Sequence, residues 1–265
     1  MTRRLVLWEG RSWIDDAPVV LIGTRALSPS VVNRKTGDIV HTWILRSDRR
    51  PAEAWREGQD ASVCGDCKLR GDPEDPGSRS CYVHLGHLGN LWNAYRAGSI
   101  PYLTEDRQLA GLVGGRVVRI GSYGDPLVLP FDVIRTIISP ARAHIGYTHL
   151  WRHPGARGKR HYRQLLMASV DTEAEQVAAR AAGWRTFRTT FRSFGAPKEP
   201  PLGDEIVCPA SDEAGHLSTC ERCRLCNGVQ KPRHGVADRR RSIVIQAHHS
   251  PNAYATMRSR LAIVR

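Results

Sequence analysis

The chain has 265 residues, 41% hydrophobic and 25% charged, with 39 Lys and Arg against 26 Asp and Glu for a net charge of +13. That length can bury a sizeable core, and the lack of low-complexity blocks, repeats or long apolar runs excludes disordered, solenoid and membrane-spanning classes. The first residues, MTRRLVLWEG, are too briefly apolar for a secretory signal. The expectation is therefore a soluble cytoplasmic protein, whose 7 cysteines are reduced and hold metal rather than forming disulfides. So basic a balance favours a polyanionic partner, a nucleic acid or nucleotide first.

In chain order, VVLIGT (19–24) and IVHTWIL (39–45) read as strands around the turn-rich NRKTGD, predicting a small N-terminal hairpin or lid over residues 1–60. A helix from Pro51 to Arg56 is expected, capped by Ser47 or Asp48. Next come Cys64-Gly-Asp-Cys67 and, after a Gly/Pro/Asp-rich loop, Cys81-Tyr82, with His84 and His87 close behind. Three thiols suit a zinc site completed by a histidine, or an iron–sulfur cluster one protein ligand short. Helices are expected over GNLWNAYRAG (89–98) and over Glu105 to Leu112, the latter capped by Thr104 and stopped at Gly114-Gly115.

From Arg116 six β-like runs follow: 117–121, 144–148, 165–170, 184–189, 205–208 and 242–247. Helical stretches lie between them, at Phe131 to Ile138 and at Thr172 to Ala182 with Asp171 as N-cap and Gly183 as terminator. Alternation of this kind predicts an α/β fold with a parallel sheet. Polar residues gather where the runs end: Ser122, Tyr123 and Asp125, then His149, Ser169 with Asp171, Thr189 and Thr190, Cys208, and His248-His249. Parallel strands share one carboxyl edge, so these groups should surround one mouth.

The most informative stretch is Thr219-Cys-Glu-Arg-Cys-Arg-Leu-Cys226, with Cys208 upstream. Cys208, Cys220, Cys223 and Cys226 make four thiols, the number a tetrahedral zinc or an all-cysteine cluster needs; the spacing does not choose the metal. Basic residues concentrate at Arg152 to Arg163 and Arg233 to Arg241, which nominates Arg152, Arg157, Lys159, Arg160, Arg239, Arg240 and Arg241 as phosphate contacts. Ala253 to Leu261 is expected to form a helix docked on the body, within a terminal segment 251–265.

Cysteines ending in Cys-Tyr, a strand running into GSYGDP, the run GYTHLW and the carboxy-terminal pattern VCPAS…TCERCRLC…IQAHHS together resemble an uncharacterised phage family of the "gene product 88" type. More distantly, the chain is similar to radical S-adenosylmethionine (radical SAM) proteins of the spore-photoproduct-lyase-like branch. The resemblance spans about Val63 to Ser250, and the distal cysteine motif is its most specific part. It implies a radical-SAM-like partial (β/α) barrel over 61–250 with cysteine-rich metal-binding loops. It also implies a 4Fe–4S cluster on Cys64, Cys67 and Cys81, S-adenosylmethionine near Ser122, Tyr123, Asp125, Ser169 and Asp171, and an auxiliary site on the four distal thiols. The chain departs from the superfamily's C-x-x-x-C-x-x-C, having C-x-x-C, thirteen residues and then C. The alternative is a non-catalytic, zinc-stabilised nucleic-acid-binding protein. A hydrolytic site on His248, His249 and Asp125 ranks last, because neighbouring strand residues face opposite ways.

Overall fold

A computed structural model describes residues 3–26, 32–190, 200–230 and 238–247. His248, His249, the expected C-terminal helix and Arg233 lie outside the described residues. The architecture is mixed α/β, built on a nine-stranded sheet of order β1-β2-β3-β4-β5-β6-β7-β9-β8. Its strands are β1 (Arg4–Arg11), β2 (Pro18–Thr24), β3 (Val40–Arg46), β4 (Val117–Tyr123), β5 (Ala143–Thr148), β6 (Met167–Val170), β7 (Thr186–Thr190), β8 (Glu205–Val207) and β9 (Ser242–Gln246). The first three pair antiparallel, and every pairing from β3 onward is parallel. The sheet is open, with β1 and β8 as its edges.

Two differences from the sequence expectation stand out. The N-terminal hairpin is a three-stranded extension of the main sheet, because β3 joins β4 directly. Sequence reading missed β1: its apolar centre, Leu5, Val6 and Leu7, is buried, but Arg4, Glu9 and Arg11 disguise it. Its ladder with β2, and a bridge from Val6 to Tyr102, make that strand, and periodicity reveals neither.

The helices are α1 (Pro51–Arg56), α2 (Ala61–Cys64), α3 (Leu85–Arg96), α4 (Asp106–Val113), α5 (Phe131–Ile138), α6 (Glu173–Ala181) and α7 (Cys220–Cys223). Several caps differ from those expected. Asp48 binds Arg46 (2.8 Å), so α1 starts at Pro51 without a side-chain cap. Glu105 and Gln108 form a capping box for α4, in place of Thr104. Thr172, not Asp171, caps α6 by accepting from the Glu175 amide (3.1 Å).

Alternation along the parallel strands sorts the core. Val118 and Ile120 of β4 and Ala168 and Val170 of β6 join α4, α5 and α6 in one cluster on the helix-covered side. Residues of opposite parity, including Val117, Ile145, Met167, Ile243 and Ile245, form a second cluster with Cys208 and Cys226. Strands buried on both sides are what a parallel sheet requires.

The sheet narrows at one place. β4 and β5 pair over residues 143–146 of β5, whereas β5 and β6 pair only at Tyr147 with Met167 and Thr148 with Ala168. The gap below is filled by the chain after α7: Gly146 donates its amide to the Cys226 carbonyl (2.8 Å), and Val229 to that of Arg163 (2.7 Å).

Gly124, at the carboxyl end of β4, has φ of +79°, and a Cβ there would lie 2.6 Å from Ile44 Cβ and 2.8 Å from its carbonyl oxygen. Gly124→Ala combines left-handed strain with overpacking, so a loss of about 2 kcal/mol is expected in urea unfolding. A change below ~0.5 kcal/mol would show that the turn relaxes freely.

Candidate functional site

One cavity of about 400 Å³ lies on the second face of the sheet, at the carboxyl ends of the parallel strands. Arg119 and Gly121 of β4, Ile145 and Tyr147 of β5, Ser169 of β6, Phe187 and Thr189 of β7, and Ile243 and Ile245 of β9 form its floor. All seven cysteines line it.

The first thiol group converges because the long interval after Cys67 folds back on itself. Cys81 and Ser80 both donate their amides to the Leu69 carbonyl (2.7 and 3.0 Å), which brings Cys81 beside the residues that follow Cys67. Arg70 holds the loop to the body: its guanidinium pairs with the buried Asp60 and donates to the Gly58 carbonyl (3.0 Å). Trp55 Nε1 donates to the Arg70 carbonyl (2.7 Å). Gly71 permits the reversal at φ of +72°, where a Cβ would meet the Arg79 backbone at 2.6 Å. Burial pushes the Cys67 thiol well up, with Cys64 and Cys81 adding to it, so the three stand within electrostatic reach of one another.

The second group hangs from the β8 edge, from the segment before β3 and from β5. Cys208 ends β8 and donates its amide to Val244 of β9 (2.8 Å). Thr219 caps α7, and the helix start is held by the segment before β3, through Cys220 amide to Lys35 carbonyl (3.0 Å) and Glu221 amide to Thr36 carbonyl (2.9 Å). Arg224, left-handed at φ of +53°, turns the chain so that Cys226 reaches β5. Burial raises the Cys208 thiol to about 11 and pushes Cys226 up too, with the other three distal thiols contributing. Among the described residues, no group of three or more His, Cys, Asp or Glu side chains is placed so that it could hold a metal ion as it stands. The donor set nevertheless suits thiophilic metal: one group of three thiols and one of four, each converging on a shared cavity. His84, the N-cap of α3, and His87 within it are exposed, their ring centroids 4.9 Å apart and tilted by 43°, and neither lines the cavity.

The residues expected to meet a cofactor divide. Ser122 and Ser169 line the cavity. Ser122 Oγ lies 2.7 Å from His41 Nδ1, and its carbonyl accepts from the Tyr82 hydroxyl (2.9 Å). Tyr123 also lines it. Asp125 is a scaffold residue: its oxygens accept from the amides of Leu127 (2.9 Å), His149 (2.7 Å) and Leu150 (3.1 Å), and its own amide donates to Val63 (2.6 Å). It thus ties the carboxyl ends of β4 and β5 to the loop of Cys64. Asp171 is buried and does not line the cavity; both carboxylate oxygens lack a hydrogen bond, and burial followed by Glu175 raises it to about 7.

The basic residues also divide. Arg152 is spent on Asp66 (3.3 Å) and Glu175 (2.5 Å), beside the first thiol loop. Lys159 lies over Trp13 (5.2 Å). Arg240 binds Asp238 (2.6 Å), and Arg241 donates to the carbonyls of Asp204 (3.0 Å) and Glu205 (2.6 Å). Arg157, Arg160 and Arg239 are exposed. Arg239, Arg240 and Arg241 precede β9 at the amino edge of the sheet. None of the seven nominated basic residues lines the cavity.

Sequence reading missed Arg119, Tyr147 and the segment Asn33, Lys35 and Thr36, which also line the cavity. The one available signal was a charged residue inside the apolar run VVRIG. His41 is lowered to about 4 by burial and by the Arg119 charge. The unfolded chain takes up its proton near 6.5 and the folded chain does not, so stability should fall as pH drops from about 6.5 to about 4. His41→Gln should flatten that limb of a plot of Tm against pH; an unchanged limb would place the acid sensitivity elsewhere.

No family model, curated protein or solved structure matches the chain. Among the described residues no helix is long and apolar enough to cross a membrane.

Proposed function

We propose that the chain is an iron–sulfur protein of radical-SAM-like type that acts on a nucleotide or nucleic acid. One observation carries this reading: a trio and a quartet of thiols open onto a single cavity at the carboxyl edge of a parallel sheet. In that reading the fold is a variant of the partial (β/α) barrel. Cys64, Cys67 and Cys81 would hold a 4Fe–4S cluster, and three thiolates leave one iron free for a small molecule. The cluster together with S-adenosylmethionine supplies one-electron cleavage of a carbon–sulfur bond. The chain's own residues bind and orient. The hydroxyls of Ser122 and Ser169 offer hydrogen bonds to a polar ligand, and the apolar floor of Ile145, Phe187, Ile243 and Ile245 keeps water from the reacting atoms. Cys208, Cys220, Cys223 and Cys226 would hold a second cluster or a zinc, fully coordinated by protein and therefore structural.

The zinc-stabilised nucleic-acid-binding reading draws on the exposed Arg157, Arg160 and Arg239. It is weakened by the exposed position of His84 and His87, the histidines expected to complete that zinc, outside the cavity; His149 does line it, with its Nε2 lacking a hydrogen-bond partner. Protein purified without oxygen should be brown, contain iron and sulfide, and cleave S-adenosylmethionine when reduced with dithionite. Colourless protein with stoichiometric zinc and no iron would overturn the proposal.

A further inference from the structure

Arg119 is a cation with no anion. It lines the cavity, its Nε has no hydrogen-bond partner, and no hydrogen bond or ion pair of its guanidinium is found among the described residues. Instead it lies between two aromatic rings, 5.2 Å from the centroid of Tyr82 and 5.7 Å from that of Tyr147. Both rings are held: the Tyr82 hydroxyl by the Ser122 carbonyl (2.9 Å), and Tyr147 by Phe187, whose centroid is 4.3 Å away. Lys35 and Arg224 also line the cavity, while the carboxylate of Asp125 is consumed by backbone amides. Arg119 is half-buried, and a guanidinium drawn partly out of water carries a cost that aromatic faces offset only in part.

The bracketed guanidinium presents a planar fork suited to two oxygens of one group.

We propose that Arg119 anchors an anion-binding subsite in this cavity, one that takes the carboxylate or phosphate of a small molecule whose remainder is apolar or aromatic. The apolar floor accommodates that remainder, and the anion fixes which end of the molecule faces the thiols. The subsite stands on the cavity and the bracketed cation, whatever metal the cysteines hold.

The test is titration calorimetry of the purified protein with inorganic phosphate and, separately, with benzoate, in wild type, Arg119→Met and Arg119→Lys. Saturable binding of at least one probe is expected, weakened tenfold or more in Arg119→Met and less in Arg119→Lys, with metal content unchanged in both variants. Binding of phosphate alone would identify a phosphate ester as ligand, and binding of benzoate alone a carboxylate. Equal affinity in Arg119→Met, or no saturable binding of either probe, would overturn the proposal. So would loss of bound metal in the variants, which would make the guanidinium a counter-charge for thiolates. If Arg119→Met does not fold, wild-type protein can be treated with phenylglyoxal and Arg119 followed by mass spectrometry. Protection by the bound probe is expected, and its absence overturns the subsite. Neither probe requires iron, so failure here leaves the cluster proposal standing, and a colourless protein that binds benzoate leaves the subsite standing.

Discussion

Cys64→Ala is expected to remove one metal pool and leave the other, with cleavage of S-adenosylmethionine falling to background. Cys64 is buried within the trio, and its loop is positioned by Asp60 and Asp125 rather than by its own sulfur. The cost to folding of losing one sulfur atom should therefore be about 1 kcal/mol, while a trio reduced to two thiols no longer holds a cluster. Cys223→Ala should do the converse, emptying the quartet while the first pool stays measurable. The assay is iron, sulfide and zinc content of oxygen-free preparations of both variants. Loss of every metal in each variant would mean a single shared site, and the two-centre arrangement would fall.

Glu205→Ala is expected to destabilise the fold by about 3–5 kcal/mol, read as a fall in the urea midpoint. Glu205 is fully buried at the start of β8, and Arg188 of β7 is 3% exposed. Three contacts join them: Nε to both carboxylate oxygens (3.1 Å each) and Nη2 to Oε2 (2.8 Å). Gln176 of α6 and the Leu202 amide (2.9 Å) complete the shell around the carboxylate. Because β9 lies between β7 and β8, the bridge passes over a whole strand and clamps the short edge that carries Cys208. Alanine would take the carboxylate away from a buried guanidinium that still donates to the Pro200 carbonyl (3.3 Å). The double variant Arg188→Met/Glu205→Leu removes both charges and should recover most of the loss. A double variant as unstable as Glu205→Ala would show that the bridge contributes shape rather than charge balance.

The alternating elements from β4 onward were legible because most of the strands are apolar runs bounded by polar or glycine residues, as in VVRIG before Ser122, with β7 (TFRTT) the exception. The polar run ends were legible for the same reason, and Ser122, Ser169 and Cys208 do share one cavity. What the sequence concealed was long-range. β1 depends on β2, and the joining of β3 to β4 depends on no local signal. The meeting of Cys81 with Cys64 and Cys67 depends on a loop closed by Leu69, Arg70 and Trp55, residues whose partners lie outside any motif. Asp125 holds a second role that the sequence concealed. It lines the cavity, and its carboxylate also accepts from three backbone amides, contacts visible only once β5 is in place.

The two-rung joint between β5 and β6 divides the ladder into halves that meet through little more than Tyr147 with Met167 and Thr148 with Ala168. The trio belongs to the half around β4, and Cys208 belongs to the half that ends in β8. Any flexing at that joint would change the span between the two groups of thiols while every strand keeps its own hydrogen bonds. The Cys226 carbonyl, accepting from the Gly146 amide across the gap, straps the joint at that point.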